Sequence, residues 1–241
     1  MKNNHKPWTI RASAGDEITI ELFEMIGEDV WSGEGTTAKS FAEDLKASGA
    51  VSRIHLRVNS PGGNCFEGLA IHNLLLSSGA TVTAEVLGVA ASIASVIIMA
   101  ASRISMSENS LMMIHNPSTA IGGDAAEFRR MADTLDRVRD SMVTAYRRHT
   151  KKTKAQIADL MQAETWFSAA EAVDAGFATD VTDPDEGESE MAANFDISKF
   201  RNVPAEIAAR LRAPRPAAES QPLASVRERH RLQLELLRRL P

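Results

Sequence analysis

Ile54-His55-Leu56-Arg57-Val58-Asn59-Ser60-Pro61-Gly62-Gly63 decides the fold. Its first half alternates apolar and polar residues, the period of a half-buried strand. Its second half breaks the strand with a proline and two glycines. Glycine accepts positive φ, so a backbone N–H can face a ligand with no Cβ in the way. Downstream, a second strand reads from Thr81 to Leu87 and ends at Gly88. Ala90-Ala91-Ser92 then opens a helix running to about Ala101. A serine at a helix N-terminus sits among unpaired backbone N–H groups. The N–H of Ile93 can therefore face an oxyanion formed at a Ser92 acyl centre, the logic of a nucleophile elbow without the Gly-x-Ser-x-Gly form. The third piece, Met113-Ile114-His115-Asn116-Pro117, ends an apolar run on a histidine. Alone, each piece has a plain meaning: a turn, a packed helix, a core histidine. In this order they can supply an oxyanion site, a nucleophile and a base, the three parts of hydrolytic acyl transfer.

Outward from this stretch, strands and helices alternate. Glu17–Met25 reads as a strand, 27–35 as a loop, and Thr36–Ala47 as a helix with Phe41, Ala42 and Leu45 on one face. A helix from about Phe66 to Ser77 separates the two strands already described. Short strands follow at Arg103–Met106 and Leu111–Ile114. This alternation predicts βαβ units and a mainly parallel sheet, with active-site turns at the C-terminal strand ends. Pro117–Gly123 is small and Gly-rich and is expected to border the substrate, Gly122 and Gly123 included. Asp124–His149 is a long charged helix whose Phe128, Met131, Leu135, Val138, Met142 and Ala145 recur at helical spacing. Lys154–Ala163 is a further helix. Ser168 caps a short one running to Asp174, with Glu171 in capping-box register. Ala178–Val181 reads as a last strand.

Composition narrows the function. The chain has 241 residues, 44% hydrophobic and 24% charged, with net charge −5. That suits one soluble domain plus an extension, and gives no global case for nucleic-acid binding. A lone Cys65 forms no intramolecular disulfide and fits a reducing compartment. It is also an alternative nucleophile, but Ser92 and His115 account for more of the pattern. Met1–Ile10 lacks a signal-peptide core, and 86–102 falls short of the ~20 apolar residues of a membrane span. The expected location is a cytoplasm. His5, His55, His72, His149 and His230 show no metal-ligand spacing, so no metal and no cofactor is expected.

These motifs resemble those of the Clp-type serine peptidases of the Clp-protease/crotonase fold, and most of all the phage head maturation (prohead) proteases. Asn-Ser-Pro-Gly-Gly (59–63), Gly-x-Ala-Ala-Ser (88–92) and Met-Ile-His-Asn-Pro (113–117) match in order and spacing. The likeness continues through Glu164–Ala172 and Gly176-Phe177-Ala178, and covers roughly 16–182. It implies an α/β fold of repeated βαβ units with a projecting handle helix, to which the change in composition after residue 182 adds a C-terminal extension. It implies Ser92 as nucleophile, His115 as general base, and Gly63 and Ile93 as oxyanion-hole donors. Gly62, Pro117, Gly122 and Gly123 would line the bound peptide, which pairs as an added strand. The family usually places Asp where this chain has Glu164. A glutamate can orient the imidazole, but its extra methylene changes the reach, and Asp159 is the fallback. The resemblance also implies a homo-oligomer of one ring or stacked rings, with the handle helix between rings.

The chain divides into a loose N-terminus (1–15), a peptidase domain (16–182), an acidic linker (183–201) and an Arg-rich, Pro-broken tail (202–241). The tail ends in helix signals: Ser225 and Glu228 in capping-box register, then Leu232, Leu236 and Leu240. It is a candidate for recruitment or self-cleavage. Three functions remain open. The first is an ATP-independent serine endopeptidase that processes capsid and scaffold proteins, and its own tail, within the assembling phage prohead in a bacterial host. The second is a Clp-type core fed by an ATPase partner. The third is a non-proteolytic crotonase-fold binding or structural protein. None involves nucleic acid or a membrane.

Overall fold

The computed structural model describes residues 8–13, 15–28, 35–183 and 200–205. In chain order the elements are β1 (Trp8–Ala12), β2 (Glu17–Leu22), β3 (Gly27–Glu28), β4 (Gly35–Thr36), α1 (Ala38–Ala47), β5 (Arg53–Ser60), α2 (Cys65–Ser77) and β6 (Thr81–Ala91). There follow α3 (Ile93–Ile97) with a 3-10 turn at Ile98–Ala100, β7 (Arg103–Ser107), β8 (Leu111–Ile114), α4 (Ala125–Tyr146), α5 (Lys154–Gln162), β9 (Thr165–Ser168), α6 (Ala169–Asp174) and β10 (Asp180–Thr182). The main sheet runs β1-β2-β5-β6-β7-β10. Strands β2, β5, β6, β7 and β10 are mutually parallel, and β1 is an antiparallel edge. This is the mainly parallel α/β architecture that the strand–helix alternation predicts.

The period-two pattern places the core. Ile18, Ile20 and Leu22 of β2, Ile54, Leu56 and Val58 of β5, and Val82, Ala84 and Val86 of β6 are all buried. Each large side chain so buried contributes roughly 1.5–3 kcal/mol. The intervening residues carry charges that pair across strands. Glu21 accepts from Arg57 at 3.1 Å and meets Arg11 at 3.1 Å, while Glu85 faces His55 at 3.5 Å.

Strand β6 is forked. Its first half pairs with β7 through Thr83–Val86, and its second half pairs with β8 through Val89–Ala91. The strand therefore does not stop at Gly88 as its sequence suggests. There the Asn59 side chain reaches across from β5 and accepts the Val89 N–H at 3.1 Å, and a Cβ on Gly88 would fall 2.6 Å from Asn59 Oδ1. Continuation to Ala91 leaves only the short α3, rather than a long helix, after Ser92.

Two further segments differ from expectation. Trp8–Ala12, read as loose, forms β1, because Trp8 is buried edge-on against Phe41 and its Nε1 donates to Asp44 at 2.9 Å. Within the 27–35 segment read as a loop, Gly27–Glu28 pairs with Gly35–Thr36, and the residues between lie outside those described. Helix α4 starts on a full capping box of Asp124 and Glu127. Its later turns bury Val138, Met142, Val143, Ala145 and Tyr146, whereas Ala125–Arg130 project into solvent with Phe128 51% exposed. The predicted Ser168–Glu171 capping box opens α6. Among the described residues no helix is long and apolar enough to cross a membrane. Most of the acidic linker and the tail helix signals at 225–240 lie outside the described residues.

Candidate active site

Three neighbouring strand ends meet at one place. Ala91 pairs with Met113, Met113 with Trp166, and Ile114 with Thr165. Ser92 is the residue after β6, His115 the residue after β8, and Glu164 the residue before the antiparallel β9. The sheet register thus brings together side chains that the sequence keeps far apart. His115 Nε2 lies 2.8 Å from Ser92 Oγ. With Nε2 unprotonated, the Ser92 hydroxyl donates to it.

Ser92 sits in a turn that few L-residues adopt, with φ 54 and ψ −127. Such strain persists only where the surroundings over-determine it. Two sets of bonds do so here. The Ser92 N–H donates to Met113 O at 2.9 Å. Ser95 Oγ lies 2.5 Å from Ser92 O, 3.1 Å from Met113 O and 2.8 Å from the Tyr146 hydroxyl. Both Ser95 and Tyr146 are fully buried. Burial pushes the Tyr146 phenol up, so it stays protonated. Tyr146 is the only tyrosine in the chain, and it ties the Ser92 turn to the end of α4.

The Gly-Gly turn lies directly against Ser92. A Cβ on Gly62 would fall 2.7 Å from Ser92 Cβ and 3.1 Å from Ile93 N. Gly63 is pinned on the other side, where Ile26 N donates to Gly62 O and Asn64 N to Ile26 O; a Cβ on Gly63 would fall 2.0 Å from Ile26 O. Asn64 then caps α2 by accepting from Phe66 N and Glu67 N. Neither the Gly63 nor the Ile93 N–H meets an acceptor among the described residues. Two unpaired donors beside a serine hydroxyl can hold a developing oxyanion. Pro117 is buried, while Gly122 and Gly123 are exposed in the segment before α4.

His115 is half-buried. Burial holds its imidazole below the usual histidine range, the Glu164 charge pulls it back up, and Arg201 pushes it down. Neutral imidazole, the form able to take a proton, is therefore favoured. Glu164 is buried, with φ 50 at the strand entry. Its Oε1 accepts the Asn202 N–H at 2.7 Å, and no hydrogen bond joins it to His115 among the described residues. Asp159 is exposed on α5, and among the described residues no hydrogen bond joins it to His115. Burial raises the Cys65 thiol, which makes it a poor thiolate nucleophile. Among the described residues no group of three or more His, Cys, Asp or Glu could hold a metal ion.

Sequence reasoning passed over Ser95, Tyr146 and the 200–202 segment. Ser95 carries one local signal, its place three residues after Ser92 in a run of small residues. Tyr146 and Phe200–Asn202 carry none, because their contacts span large separations in sequence.

With the geometry in place, the comparisons define the class. A Clp protease family model matches residues 36–185, and the chain belongs to that family. It is 34% identical over 135 residues to the "ATP-dependent Clp protease proteolytic subunit 3" of Rhodococcus jostii, a match covering 55% of this chain and 66% of that protein. It is 32% identical over 140 residues to the proteolytic subunit 2 of Thermobifida fusca, covering 57% and 68%. A longer match at 26% identity spans 188 residues of the Deinococcus radiodurans proteolytic subunit, 73% of this chain and 92% of that protein. The chain thus spans just under two thirds of the first of these relatives.

Proposed function

We propose that this chain is a serine endopeptidase that cleaves protein substrates through an acyl-enzyme. The carrying observation is the 2.8 Å contact between His115 Nε2 and Ser92 Oγ, beside the Gly63 and Ile93 N–H groups that meet no acceptor among the described residues. His115 takes the Ser92 proton as Oγ attacks the peptide carbonyl. The Gly63 and Ile93 N–H groups hold the tetrahedral oxyanion. His115 then protonates the leaving amine, and water releases the acyl group. Glu164, whose charge already acts on His115, stabilises the imidazolium that forms. Gly62, Pro117, Gly122 and Gly123 border the substrate backbone.

The test is an intact-mass spectrum after exposure to a fluorophosphonate probe. Wild type should gain one adduct and Ser92→Ala none. Equal behaviour of the two chains sinks the mechanism.

We infer protein substrates and a ring-like homo-oligomer, in keeping with the family. The motif likeness favours capsid and scaffold proteins within an assembling phage head as substrates, cleaved without ATP. The names of the relatives favour a second reading, in which an ATPase partner feeds the site. Digestion of folded capsid protein in the absence of nucleotide supports the first. Degradation only with an ATPase and ATP supports the second.

A further inference from the structure

Phe200–Asn202 have no part in that mechanism, yet they lie on the residues that perform it. The Phe200 ring packs edge-on against His115 at a centroid distance of 6.0 Å and against Trp166 at 5.5 Å. Two residues on, the Asn202 N–H donates to Glu164 Oε1 at 2.7 Å, and Asn202 Nδ2 donates to Ala163 O at 2.6 Å. Arg201, between them, brings a positive charge to bear on His115. We propose that Phe200–Asn202 is a tethered occupant of the site, with Phe200 filling a subsite for aromatic side chains walled by His115 and Trp166, and with Asn202 keeping the Glu164 carboxylate off His115. This rests on the peptidase reading of the same residues.

Three observations point the same way. First, a Ser-His-carboxylate site works when the carboxylate accepts a hydrogen bond from the N–H of the far imidazole nitrogen, which fixes the tautomer. Here His115 Nδ1 has no partner among the described residues, and Glu164 Oε1 is bonded to Asn202 instead. The strap and the histidine compete for one carboxylate. Second, proton transfer from Ser92 makes His115 a cation. A guanidinium nearby raises the cost of that step at the moment it is needed. Third, residues 200–205 join no strand of the sheet, and Arg201 and Asn202 are exposed. Among the described residues the segment is held by two ring contacts and two hydrogen bonds, few enough to release. A peptide with an aromatic side chain two residues before a free backbone N–H reproduces all but one of these contacts. That is the class of ligand the subsite takes.

The experiment uses the full chain. Phe200→Ala removes the ring, and Asn202→Pro removes the N–H that holds Glu164. The rate of fluorophosphonate labelling at Ser92 is followed by intact mass for both variants and wild type. Loss of one well-formed aromatic or charge-assisted contact should speed labelling about tenfold. The pH midpoint of labelling should also rise, as Arg201 withdraws and Glu164 turns to His115. A synthetic peptide with the sequence of residues 198–204 is then added to Phe200→Ala at about 1 mM, the effective concentration of a short tether. It should slow labelling again, and a scrambled peptide should not. Variants that label at the wild-type rate, or more slowly, overturn the strap while leaving the peptidase intact. A peptide without effect overturns the subsite. Absence of labelling in every chain overturns the peptidase reading and the strap with it.

Discussion

Replacing Ser95 by alanine should damage both the fold and the nucleophile, and the damage can be worked out in advance. The Tyr146 phenol donates to Ser95 Oγ, which in turn donates to the Ser92 carbonyl that it approaches at 2.5 Å. Alanine removes the second bond and leaves the fully buried Tyr146 hydroxyl without a partner. A lost hydrogen bond costs about 1 kcal/mol and an orphaned buried donor about 1–3 kcal/mol. The sum, about 2–4 kcal/mol, corresponds to a fall in Tm of roughly 5–15 °C for a domain of this size. Tyr146→Phe removes the donor and its need together, so it should cost only about 1 kcal/mol. The double variant should then be less destabilised than the two single effects combined, with a coupling of about 1–2 kcal/mol. Thermal unfolding of the four chains at one protein concentration measures this. The Ser92 turn, freed to leave φ 54, should also label about 10- to 100-fold more slowly in Ser95→Ala, because small misplacements of a reacting group are costly. Additive stabilities, or an unchanged labelling rate, would refute the view that this buried hydroxyl pair holds the nucleophile in place.

Other outcomes follow from the same geometry. Gly68→Ala would stabilise an ordinary helix by up to about 1 kcal/mol. Here it should destabilise, because the new Cβ falls 2.2 Å from Cγ1 of the buried Ile93, and a chemical denaturation curve reads the sign. Gly62→Ala places a methyl 2.7 Å from Ser92 Cβ, so labelling should fall by at least about tenfold while the fold survives by circular dichroism. His115 is held below its ordinary pKa of 6.5 mainly by burial. Activity should therefore persist at pH 6.5 and decline only below it as the imidazole takes up a proton; a pH–rate profile centred above 6.5 would contradict this. Glu164→Gln should slow turnover less than His115→Ala does, since the carboxylate orients and stabilises but carries no proton in the reaction.

Much of this was legible in the chain, and the exceptions have a common cause. Alternation in Ile54–Val58 and the Ser168–Glu171 capping box are local signals, and β5 and α6 form where they indicate. The Ser92 and His115 motifs drew notice for chemical reasons, and the sheet register places the two side chains in contact. What the sequence hid is non-local. Thr165–Ser168 is a strand because β8 offers it an edge, with only four residues of its own pattern to announce it. Gly88 looks like a stop because the Asn59 side chain that lets β6 continue belongs to a different strand. Trp8 draws the N-terminal segment into the sheet through Phe41 and Asp44, partners on α1. The hold of Asn202 on Glu164 follows the same rule, since nothing near either residue in the chain foretells the other.

The construction from strand ends has a consequence for how this chain can change. Between Ile114 and Thr165 the backbone leaves the sheet and travels through α4 and α5, yet the pairing of those two residues fixes where it returns. His115 and Glu164 come back to the same rung because the sheet pairing, and not the opening of α4, sets their separation. Residues added to or deleted from the exposed opening turns of α4 alter the outline of the molecule and leave the chemistry alone. That stretch is the natural point for grafting a foreign segment.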